Sequence, residues 1–318
     1  MASGPSPDWR FLATLASITL IGPLAIHAFL PAMPAIKAVF SLSETLAGTA
    51  FTVTLLVVAF ATLVYGSLSD RHGRRPVLLT GIAVFVAGSI LCALAGSFAM
   101  LLAGRVLQAL GVGCSVTLSR AIARDAYGTE GLVKVIAYLT MAYTLGPMVS
   151  PFIGGLLVDH VGWQGVFWIA AGAGVLIGWA SFSILPETHP PTARQAAHRQ
   201  SYFRDYVELF SHLRFAGFVF QSGFSSGCFY TMAAASAFLM KDYLGRSASE
   251  FGAYFFLFPI GFFSGNFLSS RLSHRFGIEK MVLAGALVNF TAITLQSAAI
   301  LADYVTRSEE HTSELQSH

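Results

Sequence analysis

Arg105 lies in the apolar run Phe98-Ala-Met-Leu-Leu-Ala-Gly104-Arg105-Val-Leu-Gln108, a setting that offers a charge no solvent. Holding a charged side chain in hydrocarbon costs about 2.5–3.5 kcal/mol on insertion scales, so it is normally kept for what it does. Gln108, three positions on, falls on nearly the same helical face and strengthens that reading. The alternative is an arginine that snorkels to the nearer interface. A second unusual group is His27, in Gly22-Pro-Leu-Ala-Ile-His27-Ala-Phe-Leu-Pro31. Histidine titrates near physiological pH and can carry a proton, but it can equally sit neutral and hydrogen-bonded in a polar pocket. A third is the run Gly66-Ser-Leu-Ser-Asp70-Arg71-His-Gly73-Arg74-Arg75. Gly73 permits a tight turn, and Arg71, Arg74 and Arg75 are too costly to draw into hydrocarbon, so they should pin this segment at a surface. Asp70 can pair with an arginine or with the N-terminal end of a helix. Taken alone, such a loop is also what a solvated basic turn looks like.

The elements that must position these groups follow from composition. Of the 318 residues, 55% are hydrophobic and 11% charged, whereas ordinary soluble domains carry roughly 25% charge. A water-soluble fold of this composition would expose large apolar patches. A run of about 20 apolar residues crosses the hydrocarbon core as a helix, which alone satisfies its backbone without water. Apolar runs predict nine spans, at 10–36, 46–68, 76–97, 99–122, 132–157, 163–185, 213–238, 249–271 and 279–301. The fold class expected is therefore an all-α integral membrane protein. The first span is expected to remain, because Met1 to Trp9 has no basic stretch of the signal-peptide kind.

Lysine and arginine set the orientation. With the N-terminus inside, the inner segments hold Arg10, Arg71, Arg74, Arg75, Arg120, Arg124, Lys134, Arg194, Arg199, Arg204, Arg214, Arg271, Arg275 and Lys280. Only Lys37, Lys241, Arg246 and Arg307 fall outside. The N-terminus and the long 186–212 link are thus expected in the cytoplasm. A net charge of +3 gives no reason to expect nucleic acid as a partner. Cys92, Cys114 and Cys228 all lie in apolar runs without Cys or His at ligand spacing, which favours small packing residues over disulfides or zinc. The sixteen acidic residues fall in loops, at span ends or near the C-terminus, so a buried carboxylate is not expected.

An internal repeat joins the two parts of the chain. Ser69, Arg71, Gly73, Leu79 and Gly81 recur, offset by 204 residues, as Ser273, Arg275, Gly277, Leu283 and Gly285. Each set links the second and third spans of its half, which predicts a six-span unit used twice in the same orientation. The expected organisation is a six-helix bundle over 1–185, a cytoplasmic linker over 186–212 and the first three helices of a second bundle over 213–306. The polar, acidic residues 307–318 look like a translated adapter tail, and the chain is read as part of a twelve-span protein.

These motifs, with three more, resemble the major facilitator superfamily and within it the Bcr/CflA-type drug/proton antiporters, over residues 10–301. The further motifs are Arg105-x-x-Gln108-x-x-Gly111-x-Gly113 leading to Arg120-Ala-Ile-Ala-Arg124-Asp125, then Gly146-Pro147-x-x-x-Pro151-x-x-Gly154-Gly155, then Gly162-Trp163 with Leu185-Pro186-Glu187-Thr188 around the sixth span. Gly146, Ser150 and Gly154 recur every fourth residue, a face that admits another helix closely, while Pro147 and Pro151 bend the segment.

The resemblance implies a major facilitator fold and a proton-driven exporter of small lipophilic compounds, working by alternating access in a bacterial inner membrane. It implies that Gly66, Asp70, Arg71, Gly73, Arg74 and Arg75 form a cytoplasmic gate, that Arg105 belongs to the proton-coupling centre, and that Gly146 to Gly155 form the antiporter helix. His27 stands where relatives usually carry an acid, which makes it a candidate proton carrier. The expected partners are a small-molecule substrate, protons and the lipid bilayer, with the protein a monomer, no metal and no cofactor besides the proton gradient. A metabolite transporter of the same superfamily and a non-transporting fragment are the alternatives. No nucleophile-base pair or phosphate-binding glycine loop suggests an enzyme.

Overall fold

The computed structural model describes residues 8–190 and 208–298, apart from 278 and 296. The basic positions 194, 199 and 204 of the expected linker, the end of the ninth span and the 307–318 tail lie outside the described residues. Helix α1 runs Trp9–His27 and, after a turn at Leu30–Ala32, continues as the short α2, Met33–Val39. Prolines 31 and 34, which cannot donate to a helical ladder, account for the break. Then come α3, Glu44–His72, and α4, Arg74–Ala93. Helices α5, Phe98–Gly128, and α6, Gly131–His160, meet at Gly128, whose φ of 58° ends the first helix. Helix α7 spans Trp163–Ile184 and α8 Leu213–Phe238. After a π-helical turn, Leu239–Tyr243, come α9, Ala248–Phe255, and α10, Leu257–Phe276; residues 279–295 are again helical.

Among the described residues there is no strand. Among the described residues, seven segments are long and apolar enough to cross a membrane: Trp9–Val39, Glu44–His72, Arg74–Ala93, Phe98–Gly128, Gly131–His160, Trp163–Ile184 and Ala248–Ser269. Helix α8 occupies the expected seventh span, but Gln221 and its serines make it less apolar than the rest. The expected eighth span turns at Phe256, because the proline at 259 has no N–H for the carbonyl of Phe255.

The chain forms two compact units. One takes the residues up to Ala216 together with Tyr230–Pro259, the other Gly217–Phe229 together with the residues from Ile260 on. The core of the first gathers Leu15, Ile18 and Ile21 of α1, Leu78 and Phe85 of α4, Val112 and Leu118 of α5 and Ala170 of α7. Its outer surface is greasy, with Phe60, Leu176 and Trp179 each about 70% exposed, as a lipid-facing surface requires. In the second, Phe220, Phe224, Phe262, Phe263 and Phe267 are exposed. The sequence repeat has a backbone counterpart: Gly73 after α3 and Gly277 after α10 both adopt positive φ, 100° and 81°.

Candidate functional site

Arg105 is fully buried, in the first third of α5. Its Nη1 donates to the Gln108 Oε1 at 2.6 Å and to the Ala25 carbonyl at 3.1 Å. That carbonyl belongs to the last turn of α1, where helical carbonyls lose their partners, and a cation there also suits the helix dipole. Gln108 passes the chain on, its Nε2 donating to Ser89 Oγ at 2.8 Å, and Ser89 donates to the Phe85 carbonyl at 2.8 Å. The flat guanidinium lies 4.2 Å from the centre of the Phe29 ring and 5.9 Å from that of Phe167. A desolvated cation gains more from an aromatic face than an exposed one does. The Nε and Nη2 atoms have no hydrogen-bond partner among the described residues.

Close helix packing makes the network possible. A Cβ at Gly88 of α4 would collide with the backbone of Gln108, and one at Gly111 with that of Phe85. Without side chains at these two positions, α4 and α5 approach until Ser89 reaches Gln108. His27 is buried at the end of α1, two residues past Ala25, with its ring 5.9 Å from that of Tyr230.

Helix α6 carries the small-residue face. A Cβ on Gly146 would meet Pro23 of α1, one on Gly154 the backbone of Ala28, and one on Gly155 the backbone of Ala248 at the start of α9. Ser150 between them is buried, and Pro147 and Pro151 lie inside the helix. The α6 surface is therefore seated on α1 through one row of small residues and on α9 through another, where a Cβ on Gly252 would lie 2.6 Å from the Phe152 Cα.

At the α3–α4 link, Gly73 makes the expected turn, accepting neither helix and capping both. Arg74 is turned inward. It is 2% exposed, with Nη2 2.6 Å from Asp70, Nε 3.0 Å from Asp125 and Nη1 donating to Ser69 Oγ at 2.5 Å. Two carboxylates and a hydroxyl take the place of water around it. Asp70 does pair with an arginine, as expected. Arg75 donates to the Phe182 carbonyl at 2.7 Å and lies 5.0 Å above that ring. Arg71 is half-buried, and Gly66 offers its carbonyl to Ser69 while a Cβ there would meet nothing within 4 Å.

Sequence reasoning missed several partners. Glu187, quoted only as part of a motif, accepts from the Arg74 N–H at 3.0 Å and the Arg75 N–H at 3.3 Å, capping α4. Phe167 stands in the motif Gly162-Trp163-x-x-x-Phe167-Trp168 and Phe29 in the run around His27, but nothing in the spacing brings them, or Ser89, to Arg105. Nor did spacing signal a second charged cluster at the other end of these helices. Lys37 of α2 donates to Glu44 at 3.0 Å and to Asp242 at 2.6 Å, and Asp159 at the end of α6 accepts from the Ala248 and Ser249 N–H groups at 3.2 and 2.8 Å.

The profile of the Major Facilitator Superfamily matches residues 15–304. The chain is 26% identical over 280 residues to the Bicyclomycin resistance protein homolog of Haemophilus influenzae, covering 88% of this chain and 70% of that protein. It is 34% identical over 242 residues to the Multidrug resistance protein MdtL of Escherichia coli, covering 76% of this chain and 61% of that one. Among solved structures, a bacterial homolog of the human lysosomal transporter Spinster, inward-facing and unoccupied, aligns with a TM-score of 0.71 at 21% identity, over 85% of this chain and 64% of that one. A D-xylose-proton symporter aligns with a TM-score of 0.62 at 15% identity, over 85% of this chain and 70% of its own. At those identities the likeness speaks for the fold alone.

Proposed function

This chain belongs to the Major Facilitator Superfamily, a family of multi-pass membrane transporters and not of enzymes, and on that premise we propose that the whole protein exports small lipophilic compounds in exchange for protons. The names of the relatives, for resistance to bicyclomycin and to multiple drugs, support the class of cargo. The observation that carries the reading is the buried Arg105 network, because a cation held at the centre of an apolar bundle by Gln108, Ala25 and Phe29 is an expense without a structural return. Arginine stays protonated, so it biases proton binding elsewhere and does not itself carry the proton. His27 is the candidate carrier, since its chain position ties it to the α1 turn that Arg105 holds. The excess of lysine and arginine at the Arg74 end supports a cytoplasmic N-terminus in a bacterial inner membrane. Asp70, Arg71, Arg74 and Arg75 then stand at the cytoplasmic mouth as a gate, and the α6 face of Gly146, Gly154 and Gly155 gives a tight seam that pivots without leaking. A monomer, the proton gradient as sole energy source and no bound cofactor complete the proposal.

In proteoliposomes of the full-length protein, Arg105→Ala should insert normally yet lose uphill, pH-gradient-driven dye export. His27→Gln should retain substrate exchange across the membrane and lose accumulation against a gradient. Undiminished uphill export in Arg105→Ala would remove the proposed role, and competition by sugars, amino acids or peptides in place of dyes would move the cargo to metabolites.

A further inference from the structure

Where α1 begins and α7 ends, the surface between the two helices opens into a groove of about 570 Å3 that the mechanism above does not use. Small side chains make room for it: Ala13 and Ser17 line it from α1, Ala180 and Ser183 from α7. From Arg10 to Ser17 it follows α1 for about two turns, roughly 10 Å at 1.5 Å per residue. Its hydroxyls are already engaged. Thr14 donates to the Arg10 carbonyl at 2.8 Å, Ser17 to that of Ala13 at 2.8 Å and Ser183 to that of Trp179 at 2.9 Å, so the walls act as apolar surface.

The mouth is different. Arg10 stands there on the first turn of α1, exposed, its guanidinium 5.7 Å from the centre of the Trp9 ring. Among the described residues no carboxylate pairs with that guanidinium; Asp8, the nearest acid along the chain, instead accepts from the Arg10 backbone N–H at 3.0 Å and so serves the helix end. Trp9 and Trp179, which also line the groove, are each 71% exposed, amphipathic rings of the kind that settle near lipid headgroups. An occupant must therefore bring an anion and an apolar tail together. Both helices are long and apolar enough to cross a membrane, so a groove on their outer surface fills from the bilayer. A guanidinium takes phosphate oxygens in pairs, and a zwitterionic headgroup would set its own ammonium beside Arg10.

We propose that this groove binds one anionic glycerophospholipid, its phosphate on Arg10 and an acyl chain lying between α1 and α7. Seated so, the lipid ties the entry of the first span to the exit of the sixth. Nothing in this depends on what the protein transports.

The test uses the full-length protein in bilayers mixing phosphatidylglycerol with phosphatidylcholine, one of the two carrying brominated chains. With Trp168, a further exposed indole, changed to phenylalanine, quenching of Trp9 and Trp179 reports which lipid occupies the groove. Phosphatidylglycerol should be preferred about fivefold, the worth of one arginine at an anionic site. Arg10→Gln should bring the preference close to one. Ala13→Phe, which fills the groove from an exposed position and leaves the charge in place, should do the same. A preference that survives Arg10→Gln overturns the site. One that is lost in Arg10→Gln but kept in Ala13→Phe also overturns it, because a cation attracting a charged surface needs no groove. Millimolar glycerol phosphate should leave the quenching unchanged, and displacement by it would give the mouth to soluble phosphoesters instead.

Discussion

The two ends of the first compact unit use charge in opposite ways. At the Arg74 end, a guanidinium 2% exposed is enclosed by Asp70, Asp125 and Ser69, all from the helices of the N-terminal part, while Glu187 clips the turn after α7 to the start of α4. At the Lys37 end, an ammonium 26% exposed reaches across to a segment two hundred residues on. A buried cluster of this sort leaves an uncompensated ion when one member is removed, so it fixes structure. A wet pair costs little to break and so biases which of two arrangements prevails. The Arg74 cluster is the costlier of the two to break, the Lys37 pair the cheaper.

The sharpest way to break that contrast is at Arg74. Arg74→Met should cost about 3–5 kcal/mol of stability, because Asp70 and Asp125 would keep their charges without a partner. A thermal melt of the purified variant in detergent checks this, and a melt like the parent's would mean that water already serves those carboxylates. Gly252→Val comes next, at about 1–3 kcal/mol, since its side chain must push against the Pro151 and Phe152 backbone. Here the loss should appear as a longer distance between spin labels at the exposed Val39 and Tyr243 more than as a lower melting temperature. Glu187→Gln should cost about 0.5–1 kcal/mol by removing a negative charge from the α4 N-terminus, measurable as faster amide exchange at Arg74 and Arg75.

How much of this could be read beforehand follows the range of each interaction along the chain. Arg105 and Gln108 are neighbours by helical spacing, so their pairing was legible; Ser89, Ala25 and Phe29 complete the site from other helices and left no trace in local pattern. Gly73 was legible because only a turn between two long apolar runs needs that residue there, and the first seven spans each coincide with a helix, while the eighth is broken at Phe256. The burial of Arg74 was not, since a basic loop looks the same whether or not two carboxylates wait for it. The end of helix α9 was hidden too, since a single proline sets it inside one apolar run. Lys37, Asp159 and Asp242 each read as a lone charge at a span end, indistinguishable from a solvated one until the fold brings them together.

The smallest expected effect separates the two ends without any substitution at the buried cluster. Lys37→Gln should leave the melting temperature unchanged, because its ammonium already meets solvent and loses little there. Salt should imitate it. At 1 M ionic strength screening acts over about 3 Å, against about 8 Å at physiological strength, and weakens exposed pairs far more than buried ones. Raising salt should therefore lengthen the Val39 to Tyr243 distance in the parent protein and leave Lys37→Gln largely indifferent. The enclosure of Arg74 should hold throughout, seen as unaltered amide exchange at the start of α4. Equal salt sensitivity at both ends would show that burial does not divide them, and the contrast between a buried cluster and a wet pair would fall.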